Sequence, residues 1–141
     1  MFEVGIGISQ NWDPAGAINE ATDKALNKLT SKPTFAMLFS TIHYEKNQGL
    51  KTILNIAHTK IPSNTPLVGG TVTGFMSNEG CFTRGIVLML VNSDEMNATI
   101  GFGEHTKKDP KTAVEKCSKM IKTSLSEKYN SKFIFEKYKK F

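Results

Sequence analysis

The chain has 141 residues, enough for one domain of ordinary size with a single buried core. Its 39% hydrophobic and 22% charged residues exclude a disordered chain, and no apolar run approaches the roughly 20 residues that span a bilayer. The net charge of +5 is uneven, because residues 107–141 hold 11 Lys against 4 acids. These lysines alternate with apolar positions, which describes solvated faces and excludes a nucleic-acid surface.

In chain order, Phe2 to Ser9 reads as a first strand, with Val4, Ile6 and Ile8 on one face and Gly5 and Gly7 on the other. Glycine inside a strand marks a close approach of another backbone. Asp13-Pro14 starts a helix, Asp as N-cap and Pro at the first helical position. Ala17, Ile18, Ala21, Ala25, Leu26 and Leu29 form its apolar stripe, and Ser31-Lys32-Pro33 ends it. Thr34 to Tyr44 is a second strand, its run Phe35-Ala36-Met37-Leu38-Phe39 expected to be buried on both faces.

A second helix is predicted over about 46–59, with Leu50, Ile53, Leu54 and Ala57 inward. Strands are predicted at Leu67 to Phe75, Thr83 to Asn92 and Ala98 to Glu104. A third helix is predicted over about 110–129, burying Ala113, Val114, Cys117, Met120, Ile121 and Leu125. Phe133 to Tyr138 is the last expected strand. The fold class is α/β, a mixed sheet with about three helices.

One unit occurs twice. Gly5-x-Gly7-x5-Asp13-Pro14-x2-Ala17 matches Gly101-x-Gly103-x5-Asp109-Pro110-x2-Ala113 at one constant offset, and the stripe continues with Ile18 matching Val114, Ala21 matching Cys117 and Ala25 matching Ile121. The repeated strand–helix unit spans residues 4–30 and 100–126. The expectation is one domain, 1–141, with a first repeat over about 1–97 and the start of a second over about 98–141, cut short at Phe141.

Ligands of open α/β sheets sit beyond the carboxyl ends of strands, beside helix N-termini. That rule selects Ser9, Asn11 and Asp13 after the first strand, and Ser40, Thr41 and His43 at the end of the second. On the third strand it selects Gly69, Gly70, Thr71 and Gly74. Asp13 also serves as an N-cap, Ser9 and Asn11 also satisfy a loop, and Gly69-Gly70 also permit tight packing. Neither G-x-G-x-x-G nor G-x4-G-K-[ST] occurs, so no phosphate loop is present. His43, His58 and His105 lack metal-ligand spacing, and Cys81 with His43 has no spacing that makes a thiol–imidazole pair. No metal, cofactor or catalytic residue is expected, and the chain is read as a binding protein and not an enzyme.

Val4-Gly5-Ile6-Gly7-Ile8-Ser9-x3-Asp13-Pro14, then Phe39-Ser40, then Pro66-Leu67-Val68-Gly69-Gly70-Thr71-Val72-Thr73-Gly74 resemble the N-terminal FIST domain of F-box and intracellular signal transduction proteins. The resemblance runs to about residue 115. The family's third segment usually reads closer to Val-Gly-Cys-Ser-Thr-x-Gly, and Gly70 stands where that Cys would be. The resemblance implies a sensory module for small molecules, including amino acids and, in some members, haem, coupled to a signalling partner. The expected ligand is an amino acid or other small polar metabolite. The alternatives are a protein-interaction module that pairs through an exposed sheet edge, as a homo-oligomer or with a signalling protein, and, behind it, a haem-binding sensor. With no basic segment before its first apolar stretch, the chain does not begin like a secretory protein, so a cytoplasmic location with Cys81 and Cys117 as reduced thiols is expected.

Overall fold

A computed structural model of the chain describes residues 1–129. Contacts divide the described residues into two compact units, Met1–Met96 and a second that begins at Asn97.

The first unit begins with β1 (Phe2–Ser9), α1 (Pro14–Leu26), β2 (Phe35–Thr41) and α2 (Gly49–Lys60). It continues with β3 (Leu67–Val72), β4 (Phe75–Ser77), β5 (Gly80–Phe82) and β6 (Ile86–Ser93). The main sheet has the order β1-β6-β2-β3. β6 runs antiparallel to both β1 and β2, and β3 lies parallel to β2, so β1, β2 and β3 all end at the same rim. The sheet is mixed, as the alternation of strand and helix signals implied.

Both helices cover one face. Ala17, Ile18, Ala21 and Ala25 of α1 and Ile53 and Ala57 of α2 pack on Ala36 and Leu38 of β2 and on Ile86, Leu88 and Leu90 of β6. Gly5 and Gly7 lie in the same register rows as Leu90 and Leu88, hence under α1. A Cβ on Gly5 or Gly7 would run into the carbonyl oxygen of Ala25 or Ala21, so these glycines set how closely helix and sheet approach.

The other face corrects an expectation. Phe35, Met37 and Phe39 of β2 are only half-buried, while Ala36, Leu38 and Ser40 are buried. The run is therefore covered by helices on one side only.

Element boundaries differ where local geometry intervenes. α1 stops at Leu26, capped by Asn27, instead of continuing toward Ser31. α2 starts at Gly49 because Asn47 and Gln48 both hold left-handed backbone (φ 54° and 59°), which breaks the helix predicted from 46. The strand predicted over 67–75 divides into β3 and β4, and β4 turns back through Gly80 (φ 135°) to form a hairpin with β5. In that hairpin Phe75 and Phe82 stack at 5.2 Å.

The second unit contains α3 (Pro110–Tyr129). It repeats the local devices of the first. The Asp13 side chain accepts from the Gly16 N–H at 2.7 Å, and Asp109 accepts from the Thr112 N–H at 3.1 Å, at matching positions of the two repeats. Gly101 and Gly103 face the carbonyls of Cys117 and Ala113, as Gly5 and Gly7 face those of Ala25 and Ala21. The helix is thus displaced by one turn between the two units.

Ala98 to Glu104 does not form the predicted strand: among the described residues it has no ladder partner, and a strand exists only by pairing. Ala113 and Leu125 are buried as predicted, whereas Val114 and Met120 are exposed. The strand predicted at Phe133 to Tyr138 lies outside the described residues. No helix among those described is long and apolar enough to cross a membrane.

Candidate functional site

The shared rim of β1, β2 and β3 brings hydroxyls into line. Ser9 pairs with Ile86, Ile86 with Ser40, and Ser40 with Thr71, so one row across the helix-covered face reads Ser, Ile, Ser, Thr. The ten candidate residues nevertheless fall into separate settings along this rim.

Ser9, Asn11 and Asp13 belong to an internal network. The Ser9 hydroxyl donates to Glu20 Oε2 at 2.6 Å, and the Asn11 side-chain amide donates to Glu20 Oε1 at 2.8 Å. Asn11 Oδ1 accepts from the Asp13 N–H at 3.0 Å, and the Tyr44 hydroxyl donates to the Asn11 carbonyl. These polar groups spend their bonds on holding the β1–α1 loop. Thr41 is fully buried, and its hydroxyl accepts from the Gly85 N–H at 3.1 Å while the Gly85 carbonyl accepts from the Thr41 N–H at 3.0 Å. His43 Nδ1 lies 3.3 Å from the same hydroxyl. Gly74 sits at the base of the hairpin, where a Cβ would press on the Phe82 carbonyl at 2.7 Å.

Ser40, Gly69, Gly70 and Thr71 come together. They line a groove of about 290 Å³ between α2 and the β2–β3 edge. Its floor and wall are apolar, from Leu38, Leu50, Ile53, Leu54, Leu67 and Val68, and His58 supplies an imidazole. Such a lining, apolar with a few hydrogen-bonding groups, is the usual composition of a small-ligand site. The Ser40 hydroxyl donates to the Thr41 carbonyl at 3.1 Å, which leaves its oxygen free to accept. The α2 contribution was missed from sequence. Its signal is the breadth of the stripe: Leu50, Leu54 and His58 follow at four-residue spacing beside Ile53 and Ala57, one position more than burial on the sheet uses.

Two residues outside the predicted set mark the rim near β1. The Arg84 guanidinium stacks 3.6 Å from the Trp12 ring centre. Arg84 Nη1 is buried and has no hydrogen-bond partner among the described residues.

Hydrogen bonds from Ser9, then Asn11, hold the Glu20 carboxyl below its usual value of 4.5. The carboxylate form is favoured by folding, so its contribution is complete above pH 4.5 and is lost as pH falls through the lower folded value. Glu3, held down by Thr30 and then Asn92, acts in the same direction. Glu20→Gln is expected to flatten the acid limb of stability in urea melts taken at stepped pH. An acid limb as steep as wild type would show that the Ser9–Glu20–Asn11 network does not form.

Comparison with known proteins adds the following. A family model described as FIST N domain matches residues 34–136. No curated protein matches the sequence. Among solved structures, an empty FtsZ dimer of M. jannaschii is similar at 17% identity and TM-score 0.39, over 64% of this chain and 26% of that one. A point mutant of the same protein is similar at 16% identity and TM-score 0.39, over 65% and 27%. The chain spans about a quarter of the length of these two structures.

Proposed function

The chain belongs to the FIST N domain family of signal-transduction sensory domains, and from that premise we propose that its first unit recognises a small molecule in the groove between α2 and β3. The observation that carries this reading is the meeting of Ser40, Gly69, Gly70 and Thr71 with an apolar wall of α2 in one cavity. The lining asks for a ligand with an apolar body and a small hydrogen-bonding head. A free amino acid with an apolar side chain meets both demands. The lining offers two hydroxyls and one imidazole, with no carboxylate or thiol to polarise them, which favours binding over catalysis. A cytoplasmic setting suits the two free thiols, Cys81 and Cys117.

A thermal-melt screen over apolar and polar amino acids and short-chain acids tests the reading. A ligand at a hundredfold excess over its Kd stabilises by about 2.7 kcal/mol, or roughly 10 °C for a unit of this size. Leu54, 47% exposed at the groove wall, provides the control. Leu54→Trp should abolish the shift while the ligand-free melt stays within a few degrees of wild type. No shift with any compound, or a shift that survives Leu54→Trp, rejects the groove as the site.

A further inference from the structure

The two edges of the four-stranded sheet are treated differently. β1 lies at one edge and β3 at the other. On β1, Lys28 Nζ donates to the Ile6 carbonyl at 2.8 Å and Lys24 Nζ donates to the Ile8 carbonyl at 2.9 Å. Lys24 lies in the last turn of α1 and Lys28 in the turn that follows its cap, and four residues of such backbone rise about 6 Å, close to the roughly 6.8 Å between alternate residues of a strand. The ammonium groups therefore cap successive outward carbonyls, and a strand approaching this edge would have to displace both.

β3 has no such cap. The Ala36 N–H bonds the Pro66 carbonyl, which sets the phase of the parallel ladder: Val68, Gly70 and Val72 turn their backbone groups to β2. Leu67, Gly69 and Thr71 turn theirs outward, and among the described residues no side chain bonds them. Val68 to Thr71 are exposed, and no residue of 67–72 is charged. Soluble proteins defend edge strands with charge, proline or cover. Among the described residues this sheet defends one edge and leaves the other open.

We propose that β3 pairs with β3 of a second copy of this chain, antiparallel and about a two-fold axis. Alternating donors and acceptors along an edge are satisfied together only by another strand. The phase selects the register: Gly69 stands opposite Gly69 of the second copy, and Leu67 opposite Thr71 of the second copy, so that outward groups meet outward groups. An uncharged edge brings no like charges together although the chain carries +5. Glycines at the axis remove side chains where the copies come closest. Val68 and Leu54, 39% and 47% exposed, flank the edge with apolar surface. A six-residue strand pair is a small contact, so the dimer is a weak one of micromolar affinity. The pairing stands whether or not the groove binds a ligand.

Sedimentation equilibrium of the full chain over about 1–200 μM tests it. Wild type should pass from monomer to dimer across this range. Thr71→Pro removes an outward N–H without touching the β2 ladder, and Val68→Lys places a charge at the edge; each should weaken the dimer at least tenfold with an unchanged circular dichroism spectrum. If Thr71→Pro fails to fold, Val68→Lys decides. Uncapping the opposite edge with Lys24→Met and Lys28→Met should produce species larger than a dimer. A wild-type monomer at 200 μM, or a dimer that tolerates the edge variants, overturns the proposal.

Discussion

Gly7→Val will leave the first unit unfolded. The added Cβ would sit inside the carbonyl oxygen of Ala21, with the Ala21 carbonyl carbon at 2.7 Å and the Ala25 nitrogen at 2.9 Å. All three are backbone atoms of α1, so relief requires lifting the helix away from the sheet. That separation would strip cover from Ala21, Ala25, Leu88 and Leu90, all fully buried. The cost is about 4 kcal/mol or more, a large part of the roughly 5–15 kcal/mol that holds an ordinary domain together. Gly70→Ala is the matched control, because nothing lies within 4 Å of a Cβ at that position. It should stay within about 0.5 kcal/mol of wild type. Circular dichroism and urea melts of the two variants check the pair; a cooperatively folded Gly7→Val protein would show that the glycine face does not set the helix–sheet distance.

The second large effect is a difference between two positions that the repeat makes equivalent. Ile18 on α1 is 0% exposed, and its counterpart Val114 on α3 is 65% exposed. Ile18→Ala removes a packed side chain from the core between helix and sheet and should cost about 2–5 kcal/mol. Val114→Ala removes a side chain that water already reaches and should change stability by less than about 0.5 kcal/mol. Urea denaturation of both variants reads the contrast. Equal losses would mean that Val114 is covered in solution as Ile18 is.

The same pair of residues shows how far the sequence carried. The Gly-x-Gly strand, the Asp-Pro cap and the small-residue stripe are local signals, each enforced within one strand or one helical turn. They were legible in both copies, and both copies keep the cap and the glycine approach, Asp13 and Asp109 capping and the glycines facing helix carbonyls, while only the first copy forms its strand among the described residues. Burial is not a local property. Ile18 is covered because β2 and β6 lie under α1, whereas the strand signal at Ala98 to Glu104 has no ladder partner among the described residues, and a strand needs one.

The candidate site divides along the same line. Ser40, Gly69, Gly70 and Thr71 were selected by their place at strand ends, and the parallel β2–β3 register brings them together. Ser9, Asn11 and Asp13 were selected by the same rule and are committed instead to Glu20 and the N-cap. Glu20 lies 9 residues beyond Asn11 in the chain, on the first turns of α1, and no loop motif announces it. The apolar wall of α2 was read as core, because helical spacing says which side chains share a face and not how much of that face the sheet covers.

By itself, then, the sequence determined the α/β class, the repeated glycine–cap–stripe unit and the resemblance to FIST N domains, since each rests on residues close together in the chain. The tertiary structure decided the strand order that aligns Ser9, Ser40 and Thr71, the half-open face of β2 and the groove beside β3. It also decided which sheet edge Lys24 and Lys28 cap. The physical reason is that strand neighbours, and therefore edges, faces and grooves, are chosen by hydrogen bonds between segments tens of residues apart, and no periodicity within either segment encodes its partner.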